Sequence, residues 1–188
     1  MKLFIASDIH GSAFWCQKML ERFEEEQAQK ILLLGDILYH GPRNDLPDEY
    51  APKKVIEMLN PLAERIICVR GNCDAEVDQM VLKFPVLADY ALLERDGLSI
   101  FATHGHLFGQ KNPPLFVSNG ILLCGHTHVP ACCECQTEDG KSFWYLNTGS
   151  VSIPKENSCH SYIVLEDGLF KWKNVEDGKV YMEKSFVK

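Results

Sequence analysis

The sequence contains no apolar run approaching the roughly 20 residues of a membrane-spanning helix. Its first residues, 1–8, include too short an apolar stretch for a secretory signal peptide. The chain also lacks an excess of positive charge, since its formal net charge is -7. A broad basic surface that holds nucleic acid through its phosphates is therefore not expected. We predict a cytoplasmic protein with neither a membrane nor an extended nucleic acid as its partner.

Low-complexity segments, interdomain linkers and repeats of about 20 to 50 residues are also missing from the sequence. A chain of 188 residues with 46% hydrophobic and 24% charged residues is long enough to bury a substantial core. We therefore expect residues 1–188 to form a single domain.

The eight cysteines do not have the spacing of a disulfide-rich secreted chain or of a paired C-x-x-C zinc site. Three of them, Cys132, Cys133 and Cys135, cluster on one predicted strand. A zinc site here would need a fourth ligand such as Cys159 or His160. Reduced cysteines on a strand are the favoured interpretation.

The first half of the chain alternates short apolar runs with segments of helical spacing. Apolar runs at residues 2–7, 31–34 and 66–69 predict three strands. Apolar side chains recur at helical spacing after Ser12 and over residues 55–59, which predicts a helix after each of the first two strands. Strands alternating with helices indicate a sheet covered by helices.

Asp-Gly pairs mark the second half, and such a pair between two strand-like runs is a strong hairpin signal. The four pairs begin at Asp96, Asp139, Asp167 and Asp177. The chain is therefore predicted to end in β-hairpins. An α/β sandwich, with two sheets face to face and helices outside, accommodates both halves.

Polar clusters follow the predicted strands at five places. They are Asp8-Ile9-His10, Gly35-Asp36, Gly71-Asn72-Cys73-Asp74, Thr103-His104-Gly105-His106 and Gly125-His126-Thr127-His128. In an extended segment residues two apart point to the same side, so Asp8 with His10, and His126 with His128, are expected to converge on one point. A lone cluster is more often a surface pair, but open α/β sheets bind ligands outside the carboxyl ends of their strands. Five clusters together indicate one functional site.

The donors in these clusters are imidazole nitrogens and carboxylate or amide oxygens. This mixture suits manganese, iron, zinc and similar divalent ions better than calcium or an iron–sulfur cluster. Two divalent ions with two carboxylates and a bridging hydroxide leave a formal charge of about +1, which attracts a phosphate anion. An acidic protein can therefore bind a small phosphate ester locally.

These motifs resemble those of the calcineurin-like metallophosphoesterases, whose pattern is D-x-H, G-D, G-N-H-[DE], a strand-end His and G-H-x-H. The five blocks occur here in that order, and the resemblance covers residues 3–155. Within the family, the sequence is similar to the small bacterial YfcE-type phosphodiesterases. That similarity rests on residues 7–11, 40–47, 70–74, 103–109 and 147–155.

The resemblance implies a four-layer α-β-β-α sandwich, with two facing mixed sheets flanked by helices, and a phosphodiesterase activity. It also implies two divalent metal ions, with manganese expected and iron, zinc, nickel or cobalt as alternatives. One ion would take Asp8, His10 and His128, the other would take Asn72, His104 and His126, and Asp36 would bridge them. The nucleophile would be a metal-bound hydroxide, and Asn72 would contact the substrate as well as a metal.

One position departs from the family pattern. The histidine of G-N-H, which stands beside the leaving group as a general acid, is replaced by Cys73. A thiol with a reference pKa of about 8.5 is a poor substitute, which predicts slower chemistry or a preference for good leaving groups. YfcE-type proteins share this cysteine, so it marks the subgroup. Cys73 remains a candidate substrate contact, and no catalytic side chain is assigned.

Arg43 and Asn44 are the other candidate substrate contacts, on the long loop after Asp36. An arginine suits bidentate contact with phosphate. An exposed Arg43 would equally well pair with Asp45 or Asp48, and Asn44 shares whichever role Arg43 has. Both interpretations stand open at the level of sequence.

The remaining histidines are expected to support the site or the fold. His40 and His106 are predicted to orient ligating imidazoles, and His160 is assigned a structural role. The large aromatic residues are assigned to packing. They are Trp15, Phe23, Phe84, Trp144 and Trp172.

Two other functions stay open. A catalytically silent scaffold of the same fold would bind protein partners, as a retromer subunit that resembles these enzymes does, but such relatives lack a histidine of the metal set. A metal store or sensor would need ligands closed to solvent. The apolar hairpins of the tail favour a homo-oligomer.

Overall fold

The computed structural model of the chain describes residues 1–186, which form two β-sheets and three α-helices. The elements are β1 (Leu3–Ala6), α1 (Ala13–Glu25), β2 (Lys30–Leu33), α2 (Pro52–Leu59), β3 (Ile66–Cys68), α3 (Glu76–Gln79), β4 (Tyr90–Arg95), β5 (Leu98–Thr103), β6 (Ile121–Cys124), β7 (Pro130–Gln136), β8 (Ser142–Thr148), β9 (Ser161–Glu166), β10 (Leu169–Asn174) and β11 (Val180–Ser185). Two 3₁₀ segments cover Asn60–Arg65 and Leu115–Val117.

Both sheets mix parallel and antiparallel pairs. The first has the strand order β11-β10-β9-β1-β2-β3, in which β1, β2 and β3 run parallel and β9 to β11 form an antiparallel tail. The second has the order β4-β5-β6-β8-β7, in which β5, β6 and β8 run parallel. The parallel strands of each sheet therefore bring several carboxyl ends to one edge.

The alternation of side chains along β1 shows why the sheets stack. Leu3 and Ile5 point into a core between the two sheets, whereas Phe4 and Ala6 point into a second core beneath the helices. A strand buried on both faces must be apolar throughout, as β1 is. The core between the sheets includes Leu32, Leu34, Ile100, Ala102, Ile121, Leu123, Ile163 and Trp172.

The helices cover the outer face of the first sheet. Helix α1 begins after Ser12, whose hydroxyl accepts a hydrogen bond from the Trp15 amide and so satisfies a donor of the first turn. Met19 and Phe23 continue the buried stripe at helical spacing. Helix α2 starts at Pro52. Proline lacks an amide hydrogen, and the first residue of a helix has no intrahelical acceptor for one, so no hydrogen bond is lost there.

The outer face of the second sheet carries a different layer. Among the described residues it is covered by the loop that follows β5, which places Phe108 and Val117 against Phe101, Leu122 and Tyr145. This loop contains one 3₁₀ turn and no α-helix. The predicted sandwich of two facing mixed sheets is thus present, and this covering layer is irregular.

The Asp-Gly turns occur where the sequence predicts them. Asp96 and Gly97 have φ values of 53° and 76°, and Asp167 and Gly168 have 49° and 71°. Two consecutive residues with positive φ are typical of a type I′ turn, whose twist matches that of the flanking strands. Within residues 1–186, the structure contains no helix long and apolar enough to cross a membrane.

Candidate metal centre

The seven candidate ligands all follow strands that end at the same edge of the sandwich. Strands β1, β2 and β3 of the first sheet lead into the loops of Asp8, Asp36 and Asn72. Strands β5 and β6 of the second sheet lead into those of His104 and the pair at 126 and 128. Because each sheet supplies part of the ligand set, the site spans both sheets at this edge.

Five candidate ligands have the left-handed backbone conformation that favours glycine. The φ angles are 61° for Asp8, 49° for His10, 56° for Asp36, 67° for His126 and 62° for His128. The expectation that the D-x-H and H-x-H pairs lie in extended segments is therefore wrong. The two side chains of each pair do turn toward the same site, but tight loops direct them there.

One group of donors consists of Asp8, His10 and His128, which are all buried. The Oδ1 atom of Asp8 lies 3.5 Å from Nε2 of His10 and 3.2 Å from Nε2 of His128. The two Nε2 atoms are 3.2 Å apart. Asp8 Oδ1 is buried and has no hydrogen-bond partner. A buried, unsatisfied carboxylate oxygen facing two imidazole nitrogens is the arrangement expected of a cation site.

The second group consists of Asn72, His104 and His126. Nε2 of His104 lies 3.1 Å from Oδ1 of Asn72 and 3.1 Å from Nδ1 of His126. Asp36 connects the groups, because its Oδ2 is 3.6 Å from Nε2 of His10 and 3.4 Å from Nε2 of His104. The position of Asp36 therefore fits a ligand shared by two ions.

Backbone carbonyl groups fix three of the imidazoles. The pairs are His10 Nδ1 with Tyr39 O at 2.8 Å, His104 Nδ1 with Leu34 O at 2.6 Å and His128 Nδ1 with Ile153 O at 2.6 Å. A carbonyl oxygen only accepts hydrogen bonds, so each Nδ1 carries a proton and Nε2 is the nitrogen that faces the site and can bind an ion. This is how protein groups orient metal-ligating histidines.

Electrostatic interactions also favour the ionised form of the two carboxylates. Burial alone raises the pKa of the Asp8 carboxyl, but the imidazoles of His10 and His128 outweigh it and hold that pKa well below its ordinary value. Burial likewise opposes ionisation of Asp36, and contact with His104 lowers the pKa of that carboxyl. The donor set, its charge and the unsatisfied oxygen therefore fit a pair of divalent ions.

Asp74 was not among the site residues predicted from the sequence, yet it holds two ligand loops together. Its buried carboxylate accepts hydrogen bonds from the amides of Asp36 at 2.8 Å, Ile37 at 2.9 Å and Gly71 at 2.7 Å. A Cβ on Gly71 would collide with Asp36 Oδ1 and lie 2.9 Å from its Cγ, so only glycine fits there. The acidic residue that closes the G-N-C-D motif was the available signal.

The end of β8 and the segment after it support the same site from the second sheet. The hydroxyl groups of Ser150 and Ser152 each donate to the Asp8 carbonyl at 2.9 Å. The Asn147 amide donates to the Gly125 carbonyl at 2.6 Å and so fixes the turn before His126. These roles require contacts across the fold, and no local sequence pattern reveals them.

An open cleft of about 380 Å³ lies beside the candidate centre. Asn72 is exposed in it and His126 is half-buried, while Arg43, Asn44 and Cys73 form part of its wall. The Asn44 amide donates to the His40 carbonyl at 2.8 Å, so Asn44 holds the loop as well as lining the cleft.

Arg43 has none of the alternative partners considered from the sequence. Within residues 1–186, the ion pairs do not include one between Arg43 and Asp45 or Asp48. The Arg43 guanidinium therefore remains available to an anion in the cleft.

Cys73 stands beside Asn72 and is half-buried. Its amide donates to Asp36 Oδ1 at 2.8 Å, and its sulfur accepts from the Asn72 amide at 3.2 Å. Burial, followed by the negative charge of Asp36, raises the pKa of the Cys73 thiol. The thiol is thus a weak acid and a poor proton donor to a leaving group.

The other histidines have separate roles. The His40 ring packs against Tyr39 and Tyr50. The carbonyl that orients His10 belongs to Tyr39, so His40 does not have the expected role of orienting a ligating imidazole. The His106 ring lies 5.4 Å from that of His104. His160, assigned a structural role, stacks on the Trp15 ring. The other aromatic residues assigned to packing also pack: Phe23, Phe84 and Trp172 are buried, and the half-buried Trp144 lies against the core between the sheets.

The cysteine cluster on β7 does not converge on one point. Cys132 faces the core between the sheets, whereas Cys133 and Cys135 face the covering loop. Cys159 lies beyond β8, near Tyr181. All eight cysteines are free thiols.

The fold and site define a phosphoesterase of the calcineurin-like type. The sequence pattern of the calcineurin-like phosphoesterase superfamily domain matches residues 1–167. The chain belongs to this superfamily, which confirms the predicted family and enzyme class.

One relative is similar over most of its length, and a more distant structure shares the fold. Phosphodiesterase YfcE of Escherichia coli strain K12 is 48% identical over 167 residues, which are 89% of this chain and 88% of that protein. The solved structure of YfcE, a phosphoesterase from E. coli, matches with a TM-score of 0.92 and 44% identity over 100% of both chains. Vps29 of Entamoeba histolytica, solved with zinc, matches with a TM-score of 0.61 and 20% identity over 100% of both chains, which shows a shared fold.

Proposed function

We propose that this chain is a metal-dependent phosphodiesterase whose dinuclear centre is formed by the seven candidate ligands. One ion is held by Asp8, His10 and His128, the other by Asn72, His104 and His126, and Asp36 bridges the two. The observation that carries this proposal is the position of Asp36 Oδ2, which faces an imidazole of each group.

The alternatives of a silent scaffold and of a closed metal store have less support. A scaffold that has lost metal binding would lack ligands, whereas all seven side chains are present and directed at one site. A store would enclose its ions, whereas Asn72 is exposed in an open cleft. The E. coli relative is named a phosphodiesterase, which supports diesters as the substrates of this chain.

When bound, the two ions lower the pKa of a coordinated water toward neutrality and neutralise charge on the phosphoryl oxygens. The side chains of the protein position the ester for attack. Asn72, exposed at the base of the cleft, contacts a phosphoryl oxygen, and the guanidinium of Arg43 binds a non-bridging oxygen from the side. Three imidazoles with fixed Nδ1 protons keep their Nε2 lone pairs directed inward, so the site needs little rearrangement.

The leaving group receives no proton from an imidazole in this site. Cys73 stands in that position, and burial raises the pKa of its thiol. Esters whose leaving groups are stable as anions are therefore the favoured substrates. Manganese is the proposed metal, because nitrogen and oxygen donors without thiolate accept it readily.

The test uses metal-stripped protein, shown by circular dichroism to be folded, with bis-p-nitrophenyl phosphate as the diester. Adding Mn²⁺ should restore hydrolysis, and parallel additions of Zn²⁺, Ni²⁺ and Co²⁺ rank the metals. The monoester p-nitrophenyl phosphate, assayed beside it, should be the poorer substrate. Folded protein that shows no metal-dependent hydrolysis of the diester would refute the proposal.

A further inference from the structure

A second cation, Lys155, stands in the wall of the cleft with no role in the metal centre. Its side chain is exposed, and within residues 1–186 it forms no ion pair or hydrogen bond. The cleft also contains Arg43, which is likewise unpaired. Two cations without carboxylate partners beside one cleft give it a local positive charge, which favours an anion.

The backbone of Lys155 is fixed to the metal centre. Its amide donates to the His128 carbonyl at 3.2 Å. Its carbonyl accepts from the amide of Ser158 at 3.0 Å and from the Ser158 hydroxyl at 2.7 Å. Glu156 and Asn157 between them have φ values of 55° and 58°, which is typical of a type I′ turn with Lys155 at its first position. The backbone of Lys155 is therefore held in a fixed position relative to His128, a candidate metal ligand.

The composition of the cleft limits what a substrate can place beside the lysine. Apart from imidazoles, no aromatic ring and no large aliphatic side chain is among the described residues that line it. Stacking of a nucleobase, which requires an aromatic or extended apolar face, has no support here. The lining consists of polar, charged and small residues, including Thr127 and Asn44. This lining favours a polar group in the part of a substrate that extends beyond the phosphate.

Charge balance indicates what that polar part carries. A phosphate diester brings one negative charge, which the centre, with a formal charge of about +1, already balances without Arg43. Lys155 adds a further positive charge with nothing on the protein to neutralise it. We propose that the preferred substrates are small phosphate diesters with an additional anionic group, carboxylate or phosphate, and that Lys155 binds this group. This inference rests on the proposed phosphodiesterase function and assigns Lys155 as a determinant of its specificity.

The test compares matched esters with the same leaving group. Ethyl p-nitrophenyl phosphate has no additional charge, whereas its 2-carboxyethyl and 2-phosphonoethyl counterparts have an anionic group in the same place. The Mn²⁺-loaded protein should prefer the charged esters through a lower KM. Lys155→Gln should reduce that preference about tenfold, equivalent to the loss of one charge-assisted contact of about 1.4 kcal/mol. Lys155→Arg should restore most of it.

Lys53→Gln is the matched control, because it removes the same charge. Lys53 is exposed on α2, away from the cleft. This variant should leave the preference unchanged. A preference that is absent in the unsubstituted protein, or that survives Lys155→Gln, would overturn the inference while hydrolysis of the uncharged ester still supported the phosphodiesterase function. Of the two charged esters, the one whose KM falls further below that of the ethyl ester shows whether carboxylate or phosphate is the group bound.

Discussion

At the scale of single residues, the site depends on backbone conformations that cost free energy. A non-glycine residue in the left-handed region costs about 1 to 2 kcal/mol, and five of the candidate ligands have φ between 49° and 67°. Hydrogen bonds between the loops after β1 and β2 hold some of them there, such as Asp8 N to Gly35 O at 3.1 Å and His10 N to Asp36 O at 2.9 Å. These hydrogen bonds therefore fix the conformation of the loops that carry the candidate ligands.

Asp36→Asn tests the bridging role. The amide has the shape of the carboxylate but no charge, so it cannot neutralise two ions at once. We expect the bound Mn²⁺, measured by elemental analysis after gel filtration, to fall from two ions per chain to one or none. Diester hydrolysis should fall at least about a hundredfold. Asp139→Asn, which changes an exposed carboxylate paired with Lys141, should retain both ions. Two bound ions in Asp36→Asn would refute the bridge.

Cys73→His tests the missing proton donor. An imidazole has a pKa closer to neutrality than the buried thiol, so it can protonate a leaving group that is unstable as an anion. We expect the variant to hydrolyse diphenyl phosphate about tenfold or more faster, with a smaller gain on bis-p-nitrophenyl phosphate. Cys135→His, on β7 outside the cleft, is the control. An unchanged or lower rate with two metals still bound would count against this account.

At the scale of elements, local patterns predicted the strands and the position of each ligand after a strand. The apolar runs correspond to β1, β2 and β3, and the Asp-Gly pairs lie in turns whose glycines have positive φ. The sequence did not reveal the left-handed ligands, because φ at Asp8 depends on hydrogen bonds to a neighbouring loop. It also did not reveal that Ile153 orients His128, since a backbone carbonyl has no sequence signature. The irregular layer over β5 and β6 was missed because its packing is non-local.

Asp74→Asn tests the connection between the loops after β2 and β3. The substitution replaces one acceptor oxygen with a donor that faces amide hydrogens. We expect the free energy of unfolding in urea to fall by about 2 to 3 kcal/mol, and Mn²⁺ to bind more weakly because Asp36 shifts. Asp78→Asn weakens a single contact, to the Ala75 amide at 2.8 Å, that involves no candidate ligand. It should cost about 1 kcal/mol or less and leave Mn²⁺ affinity unchanged. Equal effects of the two variants on metal affinity would contradict a specific role for Asp74.

At the scale of the whole molecule, the candidate centre joins the two sheets. The first sheet supplies Asp8 and Asp36, and the second supplies His104 and His128. The Trp172 indole also donates across the core to a carbonyl of β8, at 2.7 Å. Ions held by both sheets bind the folded state and not the unfolded chain, so they should stabilise the entire sandwich.

Metal removal should therefore lower global stability. Above the dissociation constants, each tenfold rise in free Mn²⁺ should add about 1.4 kcal/mol per bound ion to the free energy of unfolding. Urea titrations at several Mn²⁺ concentrations measure this slope, with two ions predicting about twice that value. Asp36→Asn should reduce the slope, and Lys53→Gln should not. Stability independent of Mn²⁺ in the unsubstituted protein would show that the ions do not link the sheets.

The most direct measurement is anomalous diffraction at the manganese edge from crystals grown with Mn²⁺. The account predicts two peaks about 3.5 to 4 Å apart, with Asp36 between them. One peak should contact Asp8, His10 and His128, and the other should contact Asn72, His104 and His126. A single peak, or two peaks of which neither contacts Asp36, would contradict a bridged dinuclear centre.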